Sequence, residues 1–272
     1  MDKYSVLMSL YIKEKPEYLR LSLESMINQS VKPDEIVIVK DGPLTSELEV
    51  VLDEYKNTYP TLINVIVSKK NVGLGKALNL GLENCKNELV ARMDTDDISL
   101  ADRCEKQLKA FNMDKELCIV GAMVDEFYDN PEEIISSRIV PTSHEEIYKF
   151  AKRRSAFNHP TVMYKKSAVL GVGGYSDLRR NQDVDLFGRM LFVGNKAANV
   201  GESLLLFRSN RDLAKRRKSW ENTKSYITTI YKLHKLGYSG VSDYTIVFIG
   251  QVIMFLCPVI VQNWLYKKLL RS

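Results

Sequence analysis

Short runs of consecutive apolar residues alternate, over the first hundred positions, with stretches in which apolar residues recur every three or four. The runs from Ser5 to Tyr11, Glu35 to Lys40, Leu62 to Val67 and Glu88 to Met93 have the length and apolar content of buried strands. Between them, Leu19, Leu23, Met26 and Ile27 follow Pro16 at helical spacing, with Pro33 beyond their end. Leu48, Val51, Leu52 and Tyr55 mark a second helix, and Ala77, Leu78, Leu80 and Leu82 a third. Strands alternating with helices through short turns predict βαβ units and an α/β fold with a mostly parallel sheet.

The rhythm loosens after Ser99. A helix is expected to about Phe111, then strands at Leu117–Gly121, near Val124–Tyr128 and near Ile134–Val140. The stretch from Phe157 to Tyr164 leads to a Gly-rich segment, Gly171 to Tyr175, expected to be a flexible loop. A helix from Gln182 to about Phe192 and strands around Ala197–Val200 and Leu204–Arg208 complete this part. There is no internal repeat and no low-complexity linker. Composition breaks near Arg208, which divides the chain into a domain over 1–210 and a basic and apolar helical extension over 211–272.

Within that extension, Tyr244 to Val261 is apolar but for Gln251, and its 18 residues are the lower limit for a spanning helix. Lys232 and Lys235 precede it, and Lys267, Lys268 and Arg271 follow. A span would put one basic cluster outside, against the positive-inside tendency. A helix dipping into the cytoplasmic leaflet keeps both clusters at anionic headgroups and is the favoured expectation over a span or a soluble core helix.

The ordinary balance of 45% hydrophobic and 27% charged residues fits one large domain or a domain with an appendage. The net charge of +5 matters because it is clustered: nine Lys or Arg lie between Arg208 and Lys235, against Asp212 and Glu221. Nucleic acid, an anionic membrane surface and a diphosphate all suit such a stretch. Cys85, Cys104, Cys118 and Cys257 show no CxxC spacing and read as reduced, mostly buried thiols, which argues against zinc and a cysteine nucleophile. Met1-Asp2-Lys3-Tyr4 runs straight into a strand, so no signal peptide is expected.

The chemistry centres on Asp94-Thr95-Asp96-Asp97, three carboxylates in four residues at the end of the fourth strand. In open α/β sheets, ligands bind in the crevice outside the strand carboxyl ends. Like charges this close repel unless a cation or ordered donors compensate them, and oxygen ligands suit Mg²⁺ or Mn²⁺ arriving with substrate phosphates. A plainer reading makes Asp97 a helix cap, but one Asp would satisfy a cap.

Asp41, in Ile38-Val39-Lys40-Asp41-Gly42, is a second strand-end carboxylate able to accept from a base or ribose, although Asp-Gly is also a common turn pair. Asn71 to Gly75 reads as turn glycines; as a phosphate loop it lacks both GxGxxG and the P-loop Lys-Ser/Thr. In Asn181-Gln182-Asp183-Val184-Asp185, Asp185 pairs with Arg189 at i,i+4 in a surface role, while Asp183 either caps the helix or faces the crevice as a base. His159-Pro160 reads as structural.

Taken together, the segments SVLMSLY, IVIVKDG, NVGLGKALNLGLENCKNELVARMDTDDIS, NHPTVMYKKSAVLGVGGYSD, NQDVDLFGRM and LLLFRSNRDLAKRR resemble the family 2 inverting glycosyltransferases, nearest to the amylovoran- and capsule-type enzymes. The resemblance spans nearly the whole chain and implies a GT-A fold. It implies that Asp41 contacts the uracil or ribose of a nucleotide sugar, that Asp94, Asp96 and Asp97 form a DXD-type site with Asp96 the first metal ligand, and that Asp183 is the general base. Arg208, Arg211, Lys215, Arg216 and Arg217 would help hold the diphosphate or face anionic lipid. Mn²⁺ or Mg²⁺ is the implied cofactor and a UDP-sugar the implied donor. The implied acceptor is an undecaprenyl-linked oligosaccharide at the cytoplasmic face of the membrane, with no role for nucleic acid. The sequence departs from the pattern at Gln182, where many members carry Glu, and at Leu78, where many carry Arg.

A sugar nucleotidyltransferase or a dinucleotide oxidoreductase would need a Gly-rich loop after the first strand, and Ile12-Lys13-Glu14-Lys15-Pro16 has no glycine. A membrane-associated relative without activity is the remaining alternative; Asp41, Asp96 and Asp183 argue against it.

Overall fold

The computed structural model describes residues 3–209 and 219–257. Its first half follows the expected alternation: β1 (Tyr4–Leu10), α1 (Pro16–Ile27), β2 (Glu35–Asp41), α2 (Ser46–Thr58), β3 (Ile63–Ser68), α3 (Leu74–Asn84) and β4 (Leu89–Met93). Local chemistry sets several ends. Pro16 starts α1 where its missing N–H is no loss. The Thr45 side chain accepts from the Leu48 N–H to cap α2.

These four strands pair in parallel in the order β3-β2-β1-β4. The chain moves outward from β1 to β3 and then crosses back to β4. That leaves a switch point between β1 and β4, where a crevice opens at the strand carboxyl ends. The loops after β1, β2 and β4 all emerge on that side.

The second half continues with β5 (Ile98–Ser99), α4 (Arg103–Met113), β6 (Leu117–Phe127), β7 (Ser136–Arg138), α5 (His144–Ala151), a 3₁₀ turn at His159–Thr161, β8 (Met163–Lys165), α6 (Lys166–Gly171), α7 (Gln182–Phe192) and β9 (Lys196–Arg208). The sheet extends through β8, β6, β9 and β5, with β7 antiparallel on β6. β8 runs antiparallel to both β4 and β6, so the sheet is mixed but mostly parallel.

Alternation along the strands sorts two cores. Val6, Met8, Ile36 and Ile38 face α1, α2 and α4, whereas Leu7, Val37 and Val39 face α3 and α7. The latter core also takes Ile230 and Leu233 of α8 (Trp220–Leu236), then Tyr238, and Val247 of α9 (Val241–Leu256).

Several expectations change. The two strands expected at 117–121 and 124–128 are one, β6. The two around 197–200 and 204–208 are also one, β9, interrupted where Gly201 and Glu202 fall out of register with β6. This β-bulge breaks the apolar pattern without ending the strand. The strand near Ile134–Val140 shrinks to β7, and α5 and α6 were not expected at all. Asp97 caps no helix: Ile98 and Ser99 pair with β9, and α4 begins at Arg103.

The Gly-rich segment is not a free loop. Gly173 and Gly174 adopt positive φ. The Asn79 side chain bonds both the N–H and the C=O of Tyr175, and Arg189 donates to the carbonyls of Val172 and Gly174. No described helix is long and apolar enough to cross a membrane; α9 is 16 residues, and the Pro258–Val261 end of the apolar run lies outside the described residues.

Candidate active site

Asp41 closes β2 and is buried. Its carboxylate accepts from the N–H groups of Val72 at 2.6 Å and Gly73 at 3.1 Å. It thereby fastens the β3–α3 turn to the crevice edge and uses the amides that a phosphate loop would have offered. Gly73, at φ +90°, permits that turn. Leu78, at the position departing from the family pattern, is core, and Gln182 is buried beside Gly75.

The acidic turn follows β4. Carboxylate oxygens of Asp94, Asp96 and Asp97 lie within 4.8 Å of one another. Asp94 pairs with the guanidinium of Arg92, which is 1% exposed and leaves its Nε and Nη1 without partners. The Ser22 hydroxyl donates to the Asp94 carbonyl at 2.7 Å and ties the turn to α1. Asp97 is fully buried; its Oδ1 accepts from the Arg208 N–H at 2.8 Å, while its Oδ2 has no partner. Burial, with the charges of Asp94 and Glu14 added, pushes Asp96 up to about 7; burial and the neighbouring aspartates carry Asp97 well above the usual carboxylate range. Compressed carboxylates, one with an orphaned buried oxygen, have the donor chemistry of a divalent cation site.

Glu14, which the sequence pattern does not single out, joins the site. It sits in the β1–α1 connection and accepts from the Thr95 hydroxyl at 2.6 Å, and burial raises its pKa. The glycine-free connection Ile12–Pro16 carries no local signal that marks a glutamate meeting residue 95 in space.

Arg208, at the end of β9, lies across the turn rather than projecting freely. Its Nε donates to the Asp96 carbonyl at 3.0 Å, and its guanidinium stacks 3.8 Å from the Tyr18 ring centre and 4.5 Å from that of Phe127. Arg211, Lys215, Arg216 and Arg217 lie outside the described residues.

Asp183 is in the first turn of α7. It is brought to the acidic turn: Asp183 and Asp94 share a cavity of about 350 Å³, also lined by Arg138, Arg154 and His159. Burial raises the Asp183 pKa, and Arg92 opposes the shift. Asp185 does pair with Arg189, at 2.8 Å, but is buried and also accepts from Ser176. Its role is therefore not at the surface. The pair clamps the Gly-rich turn and, through it, the start of α7. His159 Nε2 lies 2.9 Å from the Tyr175 hydroxyl, and burial holds its pKa well below the usual value, so the ring is neutral.

Asp41 and the Asp94–Asp97 turn thus stand at the carboxyl ends of β2 and β4, and Asp183 shares a cavity with Asp94, on a mixed, mostly parallel sheet of GT-A type. Residues 5–173 match the model of Glycosyl transferase family 2, and the chain belongs to that family. It is 38% identical to the amylovoran biosynthesis glycosyltransferase AmsE of Erwinia amylovora, over 97% of this chain and 98% of that one. It is 36% identical to the UDP-Gal:alpha-D-GlcNAc-diphosphoundecaprenol beta-1,3-galactosyltransferase of Escherichia coli, over 99% and 97%. Among solved structures it resembles S. aureus TarS 1–349 in complex with UDP-GlcNAc, with a TM-score of 0.68 at 17% identity, covering 93% of this chain and 73% of that one.

Proposed function

We propose that the protein is an inverting, divalent-cation-dependent glycosyltransferase. It moves a sugar from a nucleotide sugar, most simply a UDP-sugar, to a hydroxyl of a lipid-diphosphate-linked saccharide during assembly of a bacterial surface polysaccharide. The observation that carries this reading is the shared cavity of Asp94 and Asp183: a carboxylate at the expected cation site and a carboxylate base face one space. The names of the Erwinia amylovora and Escherichia coli relatives support the acceptor class and the pathway.

Asp96, with Asp94 and Asp97, would hold Mn²⁺ or Mg²⁺, which supplies charge neutralisation to a leaving nucleoside diphosphate. Asp183 accepts the proton of the acceptor hydroxyl, whose oxygen attacks the anomeric carbon opposite the nucleotide and inverts it. Arg92 holds Asp94 in place and offsets the negative charge of the cluster. Arg208 fixes the acidic turn from behind and stands next to the space for the diphosphate. Asp41 shapes the nucleoside end.

α9 supports a location against the inner leaflet of the plasma membrane. Ile246, Ile249, Ile253 and Leu256 are all exposed. Basic residues precede and follow the segment in sequence.

Incubation of the purified protein with UDP- and GDP-sugars and Mn²⁺ tests the reading. Nucleotide release that stops in excess EDTA and in Asp96→Ala is expected, as is a product of inverted anomeric configuration. Full turnover in EDTA would remove the cation from the mechanism. No release from any donor would favour an inactive relative.

A further inference from the structure

Beyond Asp183 the cavity is walled by Arg138, Phe150, Arg154 and Phe207. The two arginines differ. Arg138 is neutralised by Glu126, with Nε 2.6 Å from Oε1, and stacks on Phe207. Arg154 is half-buried, lies 4.5 Å over the Phe150 ring, and has no carboxylate partner among the described residues. Other arginines of this region are compensated: Arg153, next in sequence, by Asp243, and Arg92 by Asp94. A guanidinium drawn partly out of water without a counter-ion is costly, and the cost is recovered when an anion binds. A planar fork steadied over an aromatic ring, with its donors unpaired by carboxylate, suits phosphate oxygens.

The setting limits which phosphate. The cavity holds a base, Asp183, on one side and Arg154 on another, so its occupant carries a hydroxyl and an anionic group at once. The donor's diphosphate belongs at the acidic turn, with the cation. Arg154 also adjoins the segment that holds α9. Arg153 bonds Asp243 at 2.6 Å, and the Ser239 hydroxyl donates to the Lys152 carbonyl at 2.8 Å. The N-terminal end of α9, a helix whose Ile246, Ile249 and Ile253 are exposed, is thereby tethered to the residues that precede Arg154.

Resting on the glycosyltransferase reading above, we propose that Arg154, stacked on Phe150, binds the diphosphate of the acceptor. It thereby selects sugars carried on a lipid diphosphate over the same sugars in neutral linkage. The lipid lies along α9, the diphosphate at Arg154, and the acceptor hydroxyl at Asp183.

The test uses full-length protein, Mn²⁺, a donor sugar nucleotide and two acceptors. Both carry N-acetylglucosamine on the same short alkyl chain, one through a diphosphate and one through a plain glycosidic oxygen. Wild type is expected to show a KM roughly tenfold or more lower for the diphosphate-linked acceptor, as charge-assisted hydrogen bonds to phosphate predict. Arg154→Ala should erase most of that preference by raising the diphosphate-acceptor KM, and Arg154→Lys should restore part of it. Absence of the preference in wild type overturns the proposal without reference to any variant. So does a loss in Arg154→Ala that is equal for both acceptors, or one that falls on donor KM. If wild type turns over no donor, the glycosyltransfer reading fails. Calorimetric titration of the diphosphate-linked acceptor then still decides the role of Arg154: binding weakened by Arg154→Ala supports it, and equal or absent binding overturns it.

Discussion

At the scale of single residues, the site depends on carboxylates whose environments differ although their sequence context does not. Asp183 and Asp185 are two positions apart on one helix; one faces the cavity and the other is locked to Arg189 and Ser176. Asp183→Asn keeps the shape but removes basicity, so transfer should fall by roughly 10²-fold or more while donor binding persists, readable by kinetics alongside nucleotide titration. Near-normal turnover would place the base elsewhere. Asp41 has a second role that its position alone did not disclose. In Asp41→Ala the Val72 and Gly73 amides lose their acceptor, at a cost on the order of 1–3 kcal/mol for each left buried and unpaired. A lower urea midpoint should accompany any rise in donor KM; an unchanged midpoint would mean the turn does not depend on this carboxylate.

At the scale of elements, α3 approaches the sheet closely at Gly81. A methyl added at Gly81 would stand 2.3 Å from the Leu7 side chain and 2.7 Å from that of Val39, and both residues are fully buried. Gly81→Ala should therefore destabilise by about 1–3 kcal/mol despite its better helix propensity, measurable by denaturant titration. A stabilised variant would show that the two side chains can move aside. The first four strands and three helices were legible because each carries its own period. β9 was not, because its bulge at Gly201 and Glu202 looks like a turn. α5 was hidden by its brevity and by having only Ile147 and Ala151 buried.

At the scale of the whole molecule, the compressed acidic turn links stability to pH and cation. Asp96, near 7, and Asp97, carried well above the usual carboxylate range, bind protons more tightly folded than unfolded. With folded pKa values above unfolded ones, the cation-free protein gains stability as pH falls through the folded values toward the unfolded range near 4, and loses it as pH rises past 7. Mn²⁺ should therefore raise the unfolding temperature more at pH 8 than at pH 5.5. An equal rise at both would place cation binding away from these groups. The apolar face of α9 is also a property of the assembled molecule. Truncation near Leu236 would remove the core residues Tyr238 and Val247, so substitution is the cleaner probe. The double variant Ile249→Asp, Ile253→Asp should lose binding to anionic vesicles while retaining turnover of a soluble acceptor. Unchanged vesicle binding would rule this face out as the membrane contact.

The sequence by itself determined the alternation of strand and helix, and with it the parallel half of the sheet and the strand ends where ligands bind. These follow from local period and turn chemistry, which are written in consecutive residues. It also exposed Asp41, the Asp94–Asp97 turn and Asp183 as candidates, because carboxylates at strand and helix ends stand out from their neighbours. Only the tertiary structure decided what those carboxylates touch. Asp41 reaches amides 31 and 32 positions away, Glu14 reaches Thr95 across 81, and Arg208 covers the acidic turn from more than a hundred positions further on. Pairings of that range are fixed by how the sheet and helices pack, and no window of sequence contains them.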